Sequence, residues 1–179
     1  MKLKKLLSLT LAGVISASLL VGCSNGSGED KTIKVGASPT PHAEILEVAK
    51  PLLEKQGYSL EVVEFDDYVL PNTSLAEGDL DANYFQHIPY LEQMNSEKDL
   101  KLTYTAKVHI EPMGIYSEKH DSLDDLADGA KIAVPNDATN EARALQLLAK
   151  NGIIEVADKE LITAKDITKN PKNVEIVEV

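Results

Sequence analysis

Cysteine, tryptophan and basic residues are scarce in this sequence of 179 residues. It contains one cysteine, Cys23, and no tryptophan, and 18 Lys and Arg stand against 29 Asp and Glu for a formal net charge of −11. A single cysteine cannot form an intrachain disulfide, so apolar burial must stabilise the fold. An acidic chain offers no basic patch for DNA or RNA, and we expect no nucleic-acid partner.

Motifs for catalysis and metal binding are also missing. There is no Gly-x-Ser-x-Gly elbow and no phosphate-binding loop. The four histidines lie at positions 42, 87, 109 and 120, without the short spacing of a zinc site. We therefore predict no enzyme activity, no catalytic residue, no cofactor and no metal site.

The N-terminus has the pattern of a lipoprotein export signal. Residues 1–5 are cationic, residues 6–22 form an apolar run, and Leu-Val-Gly-Cys at 20–23 has the order of a lipobox. These features predict a signal peptide at 1–22, a lipid on Cys23 and a flexible tether at 23–31. The protein would then be lipid-anchored on the extracytoplasmic face of the cell membrane. The alternative is an uncleaved anchor helix, which also places the body outside the cytoplasm.

Beyond the tether, strand patterns alternate with helix patterns, which favours an α/β fold with parallel strands. Strands are predicted at 32–37, 58–65, 82–85, 102–110, 113–116, 131–134 and 174–178. Helices are predicted at 41–56, 70–77, 88–96 and 138–150.

Two of these helices have an apolar face that predicts part of the core. The first helix, capped by Thr40, would bury Ile45, Val48 and Leu52, and Pro51 should kink or divide it. In helix 138–150 the buried face is predicted to consist of Ala142, Leu145, Leu148 and Ala149.

Asn140 and Arg143 are the first candidate ligand-binding pair. They lie three residues apart near the start of helix 138–150, and therefore share one face of it. The guanidinium of Arg143 has the planar fork that suits a carboxylate. The alternative is a solvated arginine paired with Glu141 or Asp137.

A second candidate is the aromatic segment 83–90, which includes Phe85, His87 and Tyr90. Aromatic rings with polar tips suit a small amphipathic ligand, which needs apolar walls and a few directed hydrogen bonds. Alternatively, the rings simply pack at a corner between a strand and a helix. Tyr68, in segment 65–68, is a further and less specific candidate.

Several segments together resemble the NlpA family of methionine-binding lipoproteins, the substrate-binding components of methionine-uptake ABC transporters. They are the lipobox, Val-Gly-Ala-Ser-Pro-Thr-Pro-His-Ala-Glu at 35–44, Asp-Asp-Tyr-Val-Leu-Pro-Asn at 66–72, Asp-Leu-Asp-Ala-Asn-Tyr-Phe-Gln-His at 79–87 and Val-Pro-Asn-Asp-Ala-Thr-Asn-Glu-Ala-Arg-Ala-Leu at 134–145. The resemblance implies a two-lobed periplasmic-binding-protein fold of type II that closes over one free amino acid. It assigns the ligand carboxylate to Arg143, with Asn140 nearby, and the wall around the thioether to Tyr68, Phe85, His87 and Tyr90.

The resemblance also implies that family members continue beyond residue 179. We expect a first lobe at 32–111, incomplete, and part of a second lobe at 112–179. An asparagine that contacts the ligand in the family would lie beyond this span. Weak or no methionine binding is therefore expected for the 179 residues alone.

The expected ligand is L-methionine, with D-methionine or a methionine dipeptide as further candidates, and the expected partner is an ABC-transporter permease. Three alternatives stay open at this point. The chain could bind another small ligand, such as an apolar amino acid or a metal; it could be a lipid-tethered adhesin; or it could be a hydrolase.

Overall fold

The structure is a computed structural model that describes residues 31–179. The predicted signal peptide, the lipidation site Cys23 and nearly all of the tether lie outside the described residues. Within 31–179, no helix combines the length and apolar character needed to cross a membrane.

The first half of the described chain contains a three-stranded parallel sheet, as predicted. Its strands are β1 (Thr32–Ala37), β2 (Ser59–Glu64) and β3 (Ala82–Tyr84), in the order β2-β1-β3. The helices that accompany them are α1 (Glu44–Glu54), α2 (Leu70–Glu77) and α3 (Ile88–Lys98). Parallel strands end at a common edge, so the residues that follow Ala37, Glu64 and Tyr84 are brought together there.

Helix α1 differs from its prediction in three respects. It begins at Glu44 after a wide turn at Pro39–Ala43, and Thr40 has an extended backbone and does not cap it. Its apolar residues Ile45, Val48 and Leu52 are exposed rather than buried. The helix also runs through Pro51 without being divided. An apolar stripe identifies a helix face, but it does not identify what covers that face.

The prediction of strands at 102–110 and 113–116 is wrong. Residues 99–121 form neither helix nor strand in the structure. A strand requires a neighbouring strand to satisfy its backbone groups, and none of the described strands pairs with this segment. The alternation of apolar and polar residues in this segment is compatible with a strand, but it does not show whether a neighbouring strand is present to pair with it.

The second half of the described chain contains a parallel pair and a short antiparallel pair of strands. These are β4 (Lys131–Val134) with β7 (Glu175–Glu178), and β5 (Glu155–Val156) with β6 (Ile167–Lys169). Helix α4 (Ala138–Lys150) has the predicted bounds and follows β4 directly. Its predicted core face is largely confirmed by a cluster of buried residues: Ala142, Leu145, Leu148, Ile153, Ile154, Ile162 and Val174.

Glu141 is an acidic residue buried on α4, with 5% of its surface exposed. Its Oε1 accepts a hydrogen bond of 2.9 Å from the backbone N–H of Ala164. Burial is the main cause that raises the pKa of Glu141, and this hydrogen bond opposes the rise. The charged form is therefore less favourable in the folded chain than in the unfolded chain.

The stability contribution of Glu141 should accordingly be lost as the pH rises through its folded-state pKa. We expect Glu141→Gln, which keeps the acceptor oxygen, to stabilise the chain at pH 7 and to make little difference at pH 4. Urea unfolding at both pH values measures this, with exposed Glu160→Gln as the control. An equal effect of Glu141→Gln at both pH values would contradict the assignment.

Candidate ligand-binding site

Tyr68, Phe85 and Tyr90 form a triangle of aromatic rings at the carboxyl edge of the first sheet. Ring centroids are 6.0 Å apart for Tyr68 and Phe85, and 6.2 Å apart for each of the other two pairs. The Tyr90 hydroxyl donates to the backbone oxygen of Tyr68 at 3.0 Å. Burial, aided by nearby acidic groups, raises the pKa of Tyr90 to about 12, so its hydroxyl stays protonated. Tyr90 is buried and Tyr68 is exposed, so the triangle extends from the core to the surface.

A network of three side-chain amides holds the segment that carries Phe85 and His87. Asn72, which is 0% exposed, lies on α2 and its Nδ2 donates to Gln86 Oε1 at 2.9 Å. Its Oδ1 accepts from Asn83 Nδ2 at 2.9 Å and from Gln86 Nε2 at 2.7 Å. The sequence identified the polar character of segment 83–90. The role of Asn72 was missed, because only the fold places α2 beside that segment.

His87 immediately precedes α3 and has an extended backbone. Its Nε2 is buried and has no hydrogen-bond partner among the described residues. Burial, followed by the positive charge of Arg143, lowers the pKa of His87. The neutral ring thus presents an unsatisfied nitrogen close to a cation, and such a group is costly to bury unless a ligand satisfies it.

Asn140 and Arg143 lie on the first turns of α4, which is capped by Asp137. The Asp137 Oδ1 accepts from the backbone N–H of Asn140 at 3.0 Å. The Asn140 Oδ1 in turn accepts from Arg143 Nη1 at 2.8 Å, and Arg143 Nη2 donates to the backbone oxygen of Glu111 at 3.0 Å. Asn140 therefore orients the guanidinium from one side, and the Glu111 carbonyl orients it from the other.

The guanidinium of Arg143 is not neutralised by an acidic side chain. No ion pair within the described part of the chain involves Arg143. The predicted alternative, a pair with Glu141 or Asp137, does not form: Glu141 binds Ala164 and Asp137 caps the helix. The positive charge is thus available to an anionic ligand.

The six predicted site residues form three neighbouring parts: the aromatic triangle, the Asn140–Arg143 pair and His87. Ring contacts join the aromatic triangle, and a hydrogen bond joins Asn140 to Arg143. The charge of Arg143 acts on His87, and the charge of Asp137 acts on Tyr90. Together, the six residues provide an apolar wall, an unsatisfied imidazole nitrogen and a cation that no acidic side chain neutralises.

A further cluster that the sequence did not predict consists of His42, His109 and Glu111. Their ligand atoms lie within 4.8 Å of one another. His42 is buried, and that burial is the main cause that lowers the pKa of its ring. Histidine spacing could not detect this set, because His42 lies far along the chain from His109 and Glu111.

Residues 33–179 match the family model described as NlpA lipoprotein. This chain belongs to the NlpA lipoprotein family. A methionine-binding lipoprotein of Bacillus subtilis is 48% identical over 178 residues, covering 97% of this chain and 64% of the relative. The chain therefore spans about two thirds of the length of that NlpA relative.

Two solved structures are also similar to this NlpA chain. A nutrient-binding protein of Burkholderia cenocepacia bound to methionine is 44% identical with a TM-score of 0.79, and the match covers 82% of this chain and 64% of that one. A periplasmic substrate-binding protein of an ABC transporter from Coxiella burnetii is 42% identical with a TM-score of 0.78, covering 82% and 63%. These similarities confirm the predicted periplasmic-binding-protein fold. All three relatives are binding proteins rather than enzymes.

Proposed function

We propose that this chain captures methionine outside the cytoplasm and delivers it to the permease of an ABC transporter. The observation that carries the proposal is the uncompensated guanidinium of Arg143 beside the unsatisfied Nε2 of His87. A free amino acid supplies the missing partner, because its carboxylate pairs with an arginine fork. The names of the relatives support methionine as that amino acid.

The aromatic triangle suits the side chain of methionine. A thioether is polarizable and gains about 0.3–1.5 kcal/mol from contact with an aromatic ring. Tyr68, Phe85 and Tyr90 offer three rings within 6.2 Å of one another. The same aromatic wall would also accept the side chains of other apolar amino acids. The rings therefore favour apolar amino acids as a class, and the contact with sulfur favours methionine within that class.

The proposed organisation has two lobes with the ligand between them. Residues 32–111 would form the first lobe and supply the aromatic wall, and residues 112–179 would belong to the second and supply Asn140 and Arg143. A lipid on Cys23 would hold both at the extracytoplasmic face of the membrane. The short tether at 23–31 would keep the binding domain at a high effective concentration near the permease.

Isothermal titration with methionine tests the proposal. Because relatives are longer, the titration uses this chain and a chimera that joins Val179 to the residues of the Bacillus subtilis relative beyond the matched span. We expect the chimera to bind L-methionine with a Kd of about 1 µM or tighter, equivalent to about 8 kcal/mol. The 179 residues alone should bind it weakly or not at all.

Norleucine, leucine, D-methionine and a methionine dipeptide complete the ligand panel. Norleucine has the shape of methionine without the sulfur, so weaker binding of norleucine isolates the thioether contact. If leucine bound with the same affinity as methionine, the proposed ligand would be apolar amino acids as a class rather than methionine. A chimera that folds but binds none of these ligands would overturn the proposed function.

A further inference from the structure

His42, His109 and Glu111 converge on one point beside the first sheet. His42 lies in the wide turn after β1, and the other two belong to the irregular segment 99–121. The Nε2 of His109 is 2.9 Å from Glu111 Oε1, and the Nε2 of His42 is 3.4 Å from the same oxygen. Two imidazole nitrogens and a carboxylate oxygen therefore face each other directly.

Hydroxyl groups hold the opposite nitrogen of each imidazole. The Nδ1 of His42 is 2.6 Å from Ser38 Oγ, and the Nδ1 of His109 is 2.6 Å from the Tyr84 hydroxyl. When each Nδ1–H donates to its hydroxyl, each Nε2 keeps a free lone pair directed toward Glu111. Hydrogen bonds of this kind orient the histidine ligands of metal sites and fix their tautomer.

We propose that His42, His109 and Glu111 form a binding site for a divalent cation of the zinc type. Tetrahedral zinc with ligands at 2.0–2.2 Å places neighbouring ligand atoms about 3.3 Å apart. The distances of 2.9 and 3.4 Å lie within about 0.4 Å of this spacing, and all three ligand atoms lie within 4.8 Å of one another. Small side-chain movements would therefore complete the coordination of a bound ion.

The donor set identifies the class of ion. Two imidazoles and one carboxylate suit zinc and related transition cations, whereas magnesium and calcium prefer oxygen ligands throughout. Three protein ligands also leave a fourth position for water. Within residues 31–179, the carboxylate of Glu111 pairs only with these two histidines and with no Lys or Arg, so no resident cation competes for it.

The ion would stabilise the position of the segment that contacts Arg143. Glu111 offers its carboxylate to the ion and its backbone oxygen to Arg143 Nη2, at 3.0 Å. A bound cation would tie this residue to His42, and therefore to the carboxyl edge of the first sheet. This role is distinct from methionine capture, since none of the three ligands belongs to the aromatic wall or to the Asn140–Arg143 pair.

Zinc titration of the full chain tests the site. All proteins carry Cys23→Ser and no polyhistidine tag, so that no other strong ligand competes, and are stripped with chelator before ZnCl₂ is added in the calorimeter. We expect one equivalent to bind with a Kd of about 10 µM or tighter. His109→Gln and Glu111→Gln should each weaken binding by about 100-fold, because each removes a direct ligand.

His120→Gln is the matched control, since His120 lies in the same irregular segment but outside the cluster. It should bind zinc like the parent. His109 and Glu111 side chains are 29% and 49% exposed, so these two variants should keep the fold, and circular dichroism checks this. Buried His42→Gln adds to the test only if its spectrum matches the parent.

Absence of zinc binding, or equal binding by the parent and Glu111→Gln, would overturn the proposed site. Loss of binding in His120→Gln alone would do the same. Methionine is left out of every titration. Failure of the zinc site is thus distinguishable from failure of the proposed function, and a chain that binds methionine but not zinc would refute this inference only.

Discussion

Replacing Arg143 with alanine is expected to weaken methionine binding to the chimera by at least about 30-fold. Arg143 is the cation that would pair with the ligand carboxylate, and removing one partner of a desolvated charged pair costs about 2–5 kcal/mol. Each 1.4 kcal/mol is a factor of about ten in affinity. Isothermal titration of L-methionine into parent and variant measures the loss.

Two further variants show whether geometry or charge matters at this position. Arg143→Lys keeps the charge but lacks the planar fork, so its affinity should fall between those of the parent and the alanine variant. Lys150→Ala removes an exposed positive charge from the other end of α4 and should leave affinity unchanged. Parent-like binding by Arg143→Ala would show that the carboxylate lies elsewhere.

Replacing Asn72 with alanine is expected to lower the free energy of unfolding by about 3 kcal/mol. The substitution removes the three hydrogen bonds, at 2.7–2.9 Å, that buried Asn72 makes with the half-buried amides of Asn83 and Gln86. A hydrogen bond within a protein contributes about 1 kcal/mol to stability, so the loss of three gives the expected change. Urea denaturation followed by circular dichroism measures the change.

Asn136→Ala is the control for the Asn72 variant, because Asn136 is exposed. It should change the free energy of unfolding by less than about 0.5 kcal/mol. In the chimera, the Asn72 variant should also bind methionine less tightly, since the amide network holds the segment that carries Phe85 and His87. A loss of stability no larger than that of Asn136→Ala would indicate that water replaces the missing amide.

Elements with local signals could be predicted from the sequence. Helix α4 has a side-chain cap at Asp137 and an apolar face with a regular period, so both its bounds and its core residues were predictable. Helix α2 ends where expected because Gly78 adopts a left-handed conformation, with φ of 86°. In both cases the information lies within one or two turns of the helix.

Features that depend on distant contacts could not be predicted in this way. The exposure of Val48 on α1 and the irregular course of 99–121 depend on which elements lie alongside. His42 and His109 meet only because the chain returns to the first sheet after α3. The sequence indicated the polar residues of the candidate site but not the amide of Asn72 that contacts two of their neighbours, since no local pattern links α2 to segment 83–90.

The amide network has a consequence for the proposed role outside the cytoplasm, where the cell does not buffer acidity. Side-chain amides do not ionise, so the hydrogen bonds among Asn72, Asn83 and Gln86 do not depend on the protonation of these side chains. The pKa of Tyr90 is raised to about 12, so its hydroxyl stays protonated in mild alkali, and burial lowers the pKa of His87, which favours the neutral ring. The proposed capture surface would therefore keep these amide contacts while the acidity of its surroundings changes.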